Sequence, residues 1–274
     1  MKIIHNTSEL EKGSYCVSYG AFDGVHIGHR AVIEKMITSA GTSRTLLISV
    51  GSGTEPYLYT EEEKAYVLRD SGLDYMISVS ERDSVRDILN RVDVSHVVMG
   101  ERDIHPGENI VSVPMVMRNG EPVSSGMVKE ALGKNDISAL VDLLGGPYIM
   151  RGIVVHGKGL GKKHGMPTAN LGLSENRILP PYGVYGTVVD IDGKHFRGLT
   201  NIGPRPSVDD SPVPTVETYI PGYDHDDYGK TISLEMLLFV RGIIKFSGGI
   251  DEVKKQIDKD LQYIQTNLTE DDLK

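Results

Sequence analysis

The sequence predicts two dissimilar halves: an α/β module built on a parallel sheet, then a mainly β module closed by one helix. Three observations carry this expectation. Apolar strand-like runs alternate with stretches of helical periodicity through the first half, the rhythm of a sheet with crossover helices. Gly145-Gly146-Pro147 breaks that rhythm with residues that punctuate rather than continue a helix or strand. Beyond the break, short strand-like runs are separated by Gly, Pro, Asn and Asp turns. The expected modules are residues 1–145 and 146–274.

In the first half, residues 15–22 form a short apolar run that ends in Asp23-Gly24, a strand entering a turn. Between His29 and Ala40, the residues Val32, Ile33, Met36, Ile37 and Ala40 fall on one helical face. Residues 45–50 (TLLISV) read as a second strand. The next helix is expected to start at Thr60, which has capping-box spacing to Glu63, and to stop near Gly72. Residues 74–80 and 95–100 read as two more strands around a short helix over 84–92, and helices over 124–132 and 136–144 close the half. In a sheet of this kind, ligands belong at the carboxyl ends of the strands.

In the second half, residues 149–157, 183–193, 194–203, 214–222 and 230–242 read as strands. Helical spacing returns only over 249–268, where Val253, Ile257, Leu261 and Ile264 share a face. An antiparallel barrel and an antiparallel sandwich both satisfy this pattern. No internal repeat or low-complexity segment is visible.

Composition narrows the class. At roughly 100–200 residues per domain, 274 residues make about two domains, and 39% hydrophobic residues with 31 glycines describe a globular chain. Cys16 is the sole cysteine, which excludes an internal disulfide and any cysteine-based zinc site. No apolar run approaches the roughly 20 residues of a membrane span, and the start MKIIHNTSEL lacks a signal-peptide pattern. A net charge of -9 argues against a nucleic-acid partner. The expectation is therefore a soluble, cytoplasmic protein with neither nucleic acid nor membrane as partner. Its oligomeric state is not legible.

The first chemically suggestive segment is Gly20-Ala21-Phe22-Asp23-Gly24-Val25-His26-Ile27-Gly28-His29, set between a strand and a helix. A helix N-terminus offers unpaired N–H groups and partial positive charge, so it attracts phosphate. Gly28 would let a phosphate or base approach the backbone. His26 and His29 can both donate hydrogen bonds to phosphoryl oxygens as charge develops. The plainer reading is an exposed β-α turn.

The segment resembles the HxGH signature of nucleotidyltransferases, and in particular GxFDGVHxGH of prokaryotic FAD synthetases. That family joins an FMN adenylyltransferase module to a riboflavin kinase module. The resemblance implies a Rossmann-like first domain in which Phe22, Asp23, His26, Gly28 and His29 bind ATP while the FMN phosphate attacks the α-phosphorus. The family's ISSTxIR segment corresponds to Val123-Ser124-Ser125-Gly126-Met127-Val128-Lys129, so the resemblance places Ser124, Ser125 and Lys129 on the triphosphate. Gly126 stands in for Thr and Lys129 for Arg, which keeps the charge and loses the bidentate fork. Two serines at a helix start also make an ordinary N-cap. The family's Pro-His-Pro motif is replaced by residues 50–56, and its aromatic GxDFxFG segment by residues 100–107.

The second segment runs from Gly157 to Leu171. Glycines at 157, 159, 161 and 165 with lysines at 158, 162 and 163 make a loop able to wrap phosphates, though not in Walker order. Thr168 and Asn170 offer neutral oxygens suited to Mg²⁺. Read without context, such a loop is a solvated turn and Pro167-Thr168-Ala169-Asn170 a turn or cap. The segment closely resembles the GxxxGxxxGxPTANL signature of riboflavin kinases, and other motifs follow in family order. These are Leu144-Gly145-Gly146-Pro147-Tyr148, Gly183-Val184-Tyr185-Gly186, Asn201-Ile202-Gly203-Pro204-Arg205-Pro206-Ser207, Val216-Glu217-Thr218-Tyr219-Ile220 and, in part, Asp227-Tyr228-Gly229-Lys230.

This resemblance implies an antiparallel β-barrel kinase domain with a terminal helix. Gly157, Gly161, Lys162 and Gly165 would cover the ATP phosphates, Pro167, Thr168 and Asn170 would contact the nucleotide, and Thr168 and Asn170 would hold Mg²⁺. Glu217 would receive the proton of the attacking ribityl hydroxyl. Its setting agrees, because an acidic residue among apolar strand neighbours is unusual unless it points into a site. Arg241 reads either as a flavin or nucleotide contact or as a solvated charge. The function implied is ATP-dependent conversion of riboflavin to FMN and of FMN to FAD, with riboflavin, FMN and ATP as small-molecule partners. Two alternatives stay open on sequence: a riboflavin kinase without adenylyl transfer, and a non-catalytic flavin- or nucleotide-binding regulator.

Overall fold

Parallel strands threaded by helices make up the first half of the computed structural model, which describes residues 1–51, 55–103, 109–157, 165–204, 214–223, 227–247 and 249–273. In chain order these are β1 (Lys2–Ile4), β2 (Ser14–Gly20), α1 (Ile27–Ser39), β3 (Arg44–Val50), α2 (Glu61–Leu68), β4 (Tyr75–Val79), α3 (Arg82–Leu89), β5 (Asp93–Gly100) and β6 (Ile110–Val113). A small ladder of β7 (Met117–Arg118) and β8 (Glu121–Pro122) precedes α4 (Ser125–Gly133) and α5 (Ile137–Leu144). The sheet order is β1-β4-β3-β2-β5-β6, and every pairing in it is parallel. β3 buries its whole middle, as a strand covered on both faces must. The chain runs from β2 to β3 and β4 on one side, then returns to place β5 on the other side of β2. The carboxyl end of β2 is thus the switch point at which open α/β sheets bind ligands.

α1 begins two residues before the expected His29 because His26 caps it, its ring accepting the backbone N–H of His29. α2 carries the expected capping box between Thr60 and Glu63, but it buries Glu63 and Lys64 beside Ala65 and Leu68. The cap places the helix where it was expected, while hydrophobic patterning does not show which of its residues are buried. β1 and β6 escaped the sequence reading because three or four residues are too few to show a period of two.

The second half forms a closed barrel. β9 (Tyr148–Val155), β10 (Thr168–Gly172), β11 (Gly183–Ile191), β12 (Lys194–Pro204), β13 (Pro214–Tyr219) and β14 (Thr231–Arg241) close in the order β10-β13-β12-β11-β14-β9, and α6 (Ile250–Asn267) follows. The barrel thus replaces the sandwich alternative. β11 and β12 are joined through Asp192 and Gly193, both at positive φ (53° and 77°), as a primed two-residue hairpin turn requires. Residues 168–172 are a strand rather than the turn that their composition suggests. β10 is hydrogen-bonded on both sides, to β9 and β13, and that pairing overrides weak local propensity.

Side chains alternate faces along these strands. Thr187, Thr200 and Thr218 are fully buried and joined by hydroxyl contacts of 2.8 and 3.0 Å, which marks their faces as interior. Val184 lies on the opposite face and joins Ile264 and Leu268 in the apolar cluster beneath α6. The chain divides into two compact units, one of Met1–Lys129, Leu143–Gly145 and Asn176–Ile178, the other of Glu130–Asp142, Gly146–Glu175 and Leu179–Lys274.

Candidate functional site

The turn that leaves β2 is strained. Phe22 and Val25 hold φ of 47° and 45°, and Gly24 holds 81°. For a β-branched residue such as Val25 that conformation is an outlier, sustained only where the surroundings over-determine it. Asp23 supplies much of that restraint. Its Oδ1 accepts the N–H groups of Leu58 (2.7 Å) and Tyr59 (3.3 Å), and its backbone carbonyl accepts the Ser125 hydroxyl at 2.7 Å. Its Oδ2 faces Lys129 Nζ at 3.3 Å, and Lys129 also donates to the Pro56 carbonyl. Lys64, nearly enclosed, donates to the Ala21 carbonyl just before the turn.

This turn seats two imidazoles. His26 Nδ1 accepts the His29 N–H at 3.3 Å, so the neutral ring carries its proton on Nε2. The rings of His26 and His29 stack with centroids 3.7 Å apart, and Phe22 closes against His29 at 5.0 Å. Burial pulls the His26 pKa down to about 4, against the attraction of Asp23. His29 is driven well below its usual value by burial, then by His26 and Lys64. Near neutral pH both rings are therefore uncharged donors at the start of α1. A Cβ on Gly28 would lie 3.1 Å from the His26 ring and 3.8 Å from the Val123 carbonyl, so glycine allows this close packing.

Phe22, Asp23, His26, Gly28, His29, Ser125 and Lys129 are thus brought together in one unit. Ser124 stands at the start of α4, where its hydroxyl accepts the Met127 N–H at 3.4 Å as an N-cap does.

In the barrel, register assembles the second set. Asn170 lies opposite Glu217, and Glu217 lies opposite Asn201. The row continues through Val184, whose place beneath α6 shows that the face points outward. Thr168 and Tyr219 form the adjacent pair on the same face. Directly opposed side chains have Cβ atoms about 4.5–5.5 Å apart, so three strands deliver Asn170, Glu217 and Asn201 to one patch. Thr168, Asn170 and Glu217 are half-buried and Asn201 is exposed.

Gly157 closes on the same patch. A Cβ there would lie 2.5 Å from the Asn170 amide nitrogen. Gly165 has φ 76°, a left-handed conformation suited to glycine, and Pro167 directly precedes β10. Gly161 and Lys162 lie outside the described residues. The hydroxyl of Thr168 and the amide and carboxylate oxygens of Asn170 and Glu217 make a hard-oxygen donor set that fits Mg²⁺.

Arg241 resolves differently from both sequence readings. Its guanidinium forks onto Asp260 of α6 at 2.8–3.1 Å, and Gln256 also binds that carboxylate. It fastens α6 to β14.

The family model for FAD synthetase matches residues 8–122, and that for riboflavin kinase matches residues 144–268. The chain belongs to the bifunctional FAD synthetase family. The bifunctional riboflavin kinase/FMN adenylyltransferase of Bacillus subtilis is 28% identical over 96% of this chain and 96% of its own length. Its namesake in Escherichia coli K12 is 28% identical over 94% of each chain. A crystal structure titled as a macrolide-efflux protein from Streptococcus pneumoniae covers 98% of this chain and 99% of its own at a TM-score of 0.79 and 23% identity. That likeness is one of fold. The match to both family models is consistent with the tandem order of an α/β unit and a closed barrel.

Sequence reasoning within this family missed two residues. Lys64 was hidden in the charge-rich run of α2, where burial has no local signature. Asn201 entered only as part of a motif, and its place beside Glu217 depends on strand register.

Proposed function

We propose that the chain phosphorylates riboflavin to FMN in its barrel module and adenylylates FMN to FAD in its α/β module, with ATP as donor in both. The modules are taken as residues 1–145 and 146–274. The observation that carries this reading is the presence in one chain of two separate anion-directed constellations, the stacked His26–His29 pair at the start of α1 and the Asn170–Glu217 pair on the barrel.

In the kinase step the riboflavin 5′-hydroxyl oxygen bonds to the γ-phosphorus, the bond to the β,γ-bridging oxygen breaks, and ADP leaves. Glu217 takes up the hydroxyl proton. By the resemblance, Gly157, Gly161, Lys162 and Gly165 would cover the phosphates, Pro167, Thr168 and Asn170 would contact the nucleotide, and Thr168 and Asn170 would hold Mg²⁺. The metal supplies charge neutralisation to the phosphates.

In the adenylyl step an FMN phosphate oxygen bonds to the α-phosphorus and pyrophosphate leaves, so no base is required. His26 donates its Nε2–H, and His29 a ring N–H, to phosphoryl oxygens as charge accumulates, while Ser124, Ser125 and Lys129 attend the triphosphate.

The test is incubation with riboflavin, ATP and Mg²⁺ followed by chromatography of the flavins. FMN and FAD together are expected. FMN alone would reduce the reading to a kinase, and neither product would overturn it.

A further inference from the structure

Lys64 is a buried cation that the two reactions, as just described, do not use. Its side chain is 4% exposed, and its three N–H groups are directed to three acceptors: the Ala21 carbonyl at 2.7 Å, Ser49 Oγ at 3.1 Å and Glu61 Oε1 at 2.7 Å. These belong to the exit of β2, the end of β3 and the first turn of α2. Glu61 is itself held from β4, since Ser78 donates to its Oε2 at 2.8 Å. One ammonium thus ties together elements at the carboxyl edge of the sheet.

We propose that Lys64 is a positioning residue for adenylyl transfer, clamping the strained turn from which Phe22, His26 and His29 are aimed. The inference rests on the functional reading above. The clamp acts on the carbonyl directly before Phe22, the first residue of the turn at positive φ. Phe22 in turn packs on His29, and His29 on His26. A strained conformation of this kind needs such external restraint, and an acceptor left unpaired at a buried site adds to the cost of losing it.

Lys64 also contributes charge. Among the groups around His29, His26 and Lys64 both disfavour its protonation. Asp23 favours protonation of the adjoining His26, and its charge is countered by Lys129 as that of Lys64 is by Glu61. Removing the ammonium takes away one of the influences that keep the His29 ring uncharged, so its pKa must rise.

The test uses the full chain carrying Lys64→Met, with histidine ring nitrogens labelled with ¹⁵N and His29 assigned by His29→Ala. The expected result is that His29 titrates at higher pH than in the parent. The acid limb of FAD formation from supplied FMN moves up with it, and kcat falls at least tenfold while riboflavin phosphorylation in the same sample is retained. Partial unfolding would itself protonate His29 at higher pH, so the folded fraction is read by circular dichroism on the same sample. A fall in kcat and a shifted titration in fully folded protein belong to Lys64 itself. An unchanged His29 titration and pH profile would overturn the proposal.

Should Lys64→Met fail to fold, Ser49→Ala removes one acceptor and leaves the charge. It should lower kcat for FAD formation about twofold to fivefold without affecting KM for ATP, and parent-like kcat would overturn the clamp. If the parent itself made no FAD, the functional reading would fail, while the ring spectra would still report whether Lys64 holds His29.

Discussion

Glu217 acquires its candidate role from two neighbours in register, Asn170 on one side and Asn201 on the other. Replacing it with glutamine preserves the shape and removes the proton acceptor. Glu217→Gln should slow FMN formation by roughly 10²–10⁴-fold, the usual worth of general-base assistance, and leave conversion of supplied FMN to FAD intact. Chromatographic rates of both steps check this, and parent-like phosphorylation would remove Glu217 from the mechanism. His26 bears on stability instead. Its folded pKa of about 4 lies below the ordinary 6.5, so the unfolded chain binds the proton first as pH falls. The stability present above pH 6.5 is lost between about pH 6.5 and 4, on the order of 3 kcal/mol in all. Denaturation midpoints across that window should fall less steeply for His26→Ala than for the parent, and parallel curves would contradict the assignment.

At the scale of elements, α6 and α2 show the limits of reading helices by hydrophobic period. α6 largely obeys it: of Val253, Ile257, Leu261 and Ile264, expected on one face, the last three take part in packing beneath the helix. The period does not reveal that Asp260 is also buried, with Arg241 forked onto it. Arg241→Ala should destabilise the barrel unit by about 3 kcal/mol, because it strands a buried carboxylate. Urea unfolding would measure this, and a loss below about 1 kcal/mol would assign the pair to the surface class. α2 departs further from the pattern. Its buried Glu63 accepts from Arg177, with both side chains fully enclosed, and Lys64 binds Ala21. A capping box locates the start of such a helix, but long-range partners decide which charges it hides. β10 illustrates the same principle in a strand, since its turn-like composition yields to neighbours on both sides.

At the scale of the whole molecule, two sites in one chain predict separable activities. Glu217→Gln alone should yield no FAD from riboflavin within the parent's reaction time, and His29→Ala alone should stop at FMN. Mixed in one tube with riboflavin, ATP and Mg²⁺, the two variants should restore FAD through released FMN. Failure of the mixture while each variant retains its remaining step would show that FMN is not exchanged between chains. The sequence by itself determined the alternation that builds a parallel sheet, the break at residues 145–147, the turn-rich second half and the motif residues around His26, His29, Thr168, Asn170 and Glu217. Those features are local, written in periodicity, turn chemistry and short spacings. Only the tertiary structure decided that the second half closes as a barrel, that Asn201 stands beside Glu217, that Arg241 serves α6, and that Lys64 lies beneath the histidine turn. Each depends on register or burial between residues far apart in the chain, where the free energy is set by the partner that folding supplies rather than by the residue's own preference.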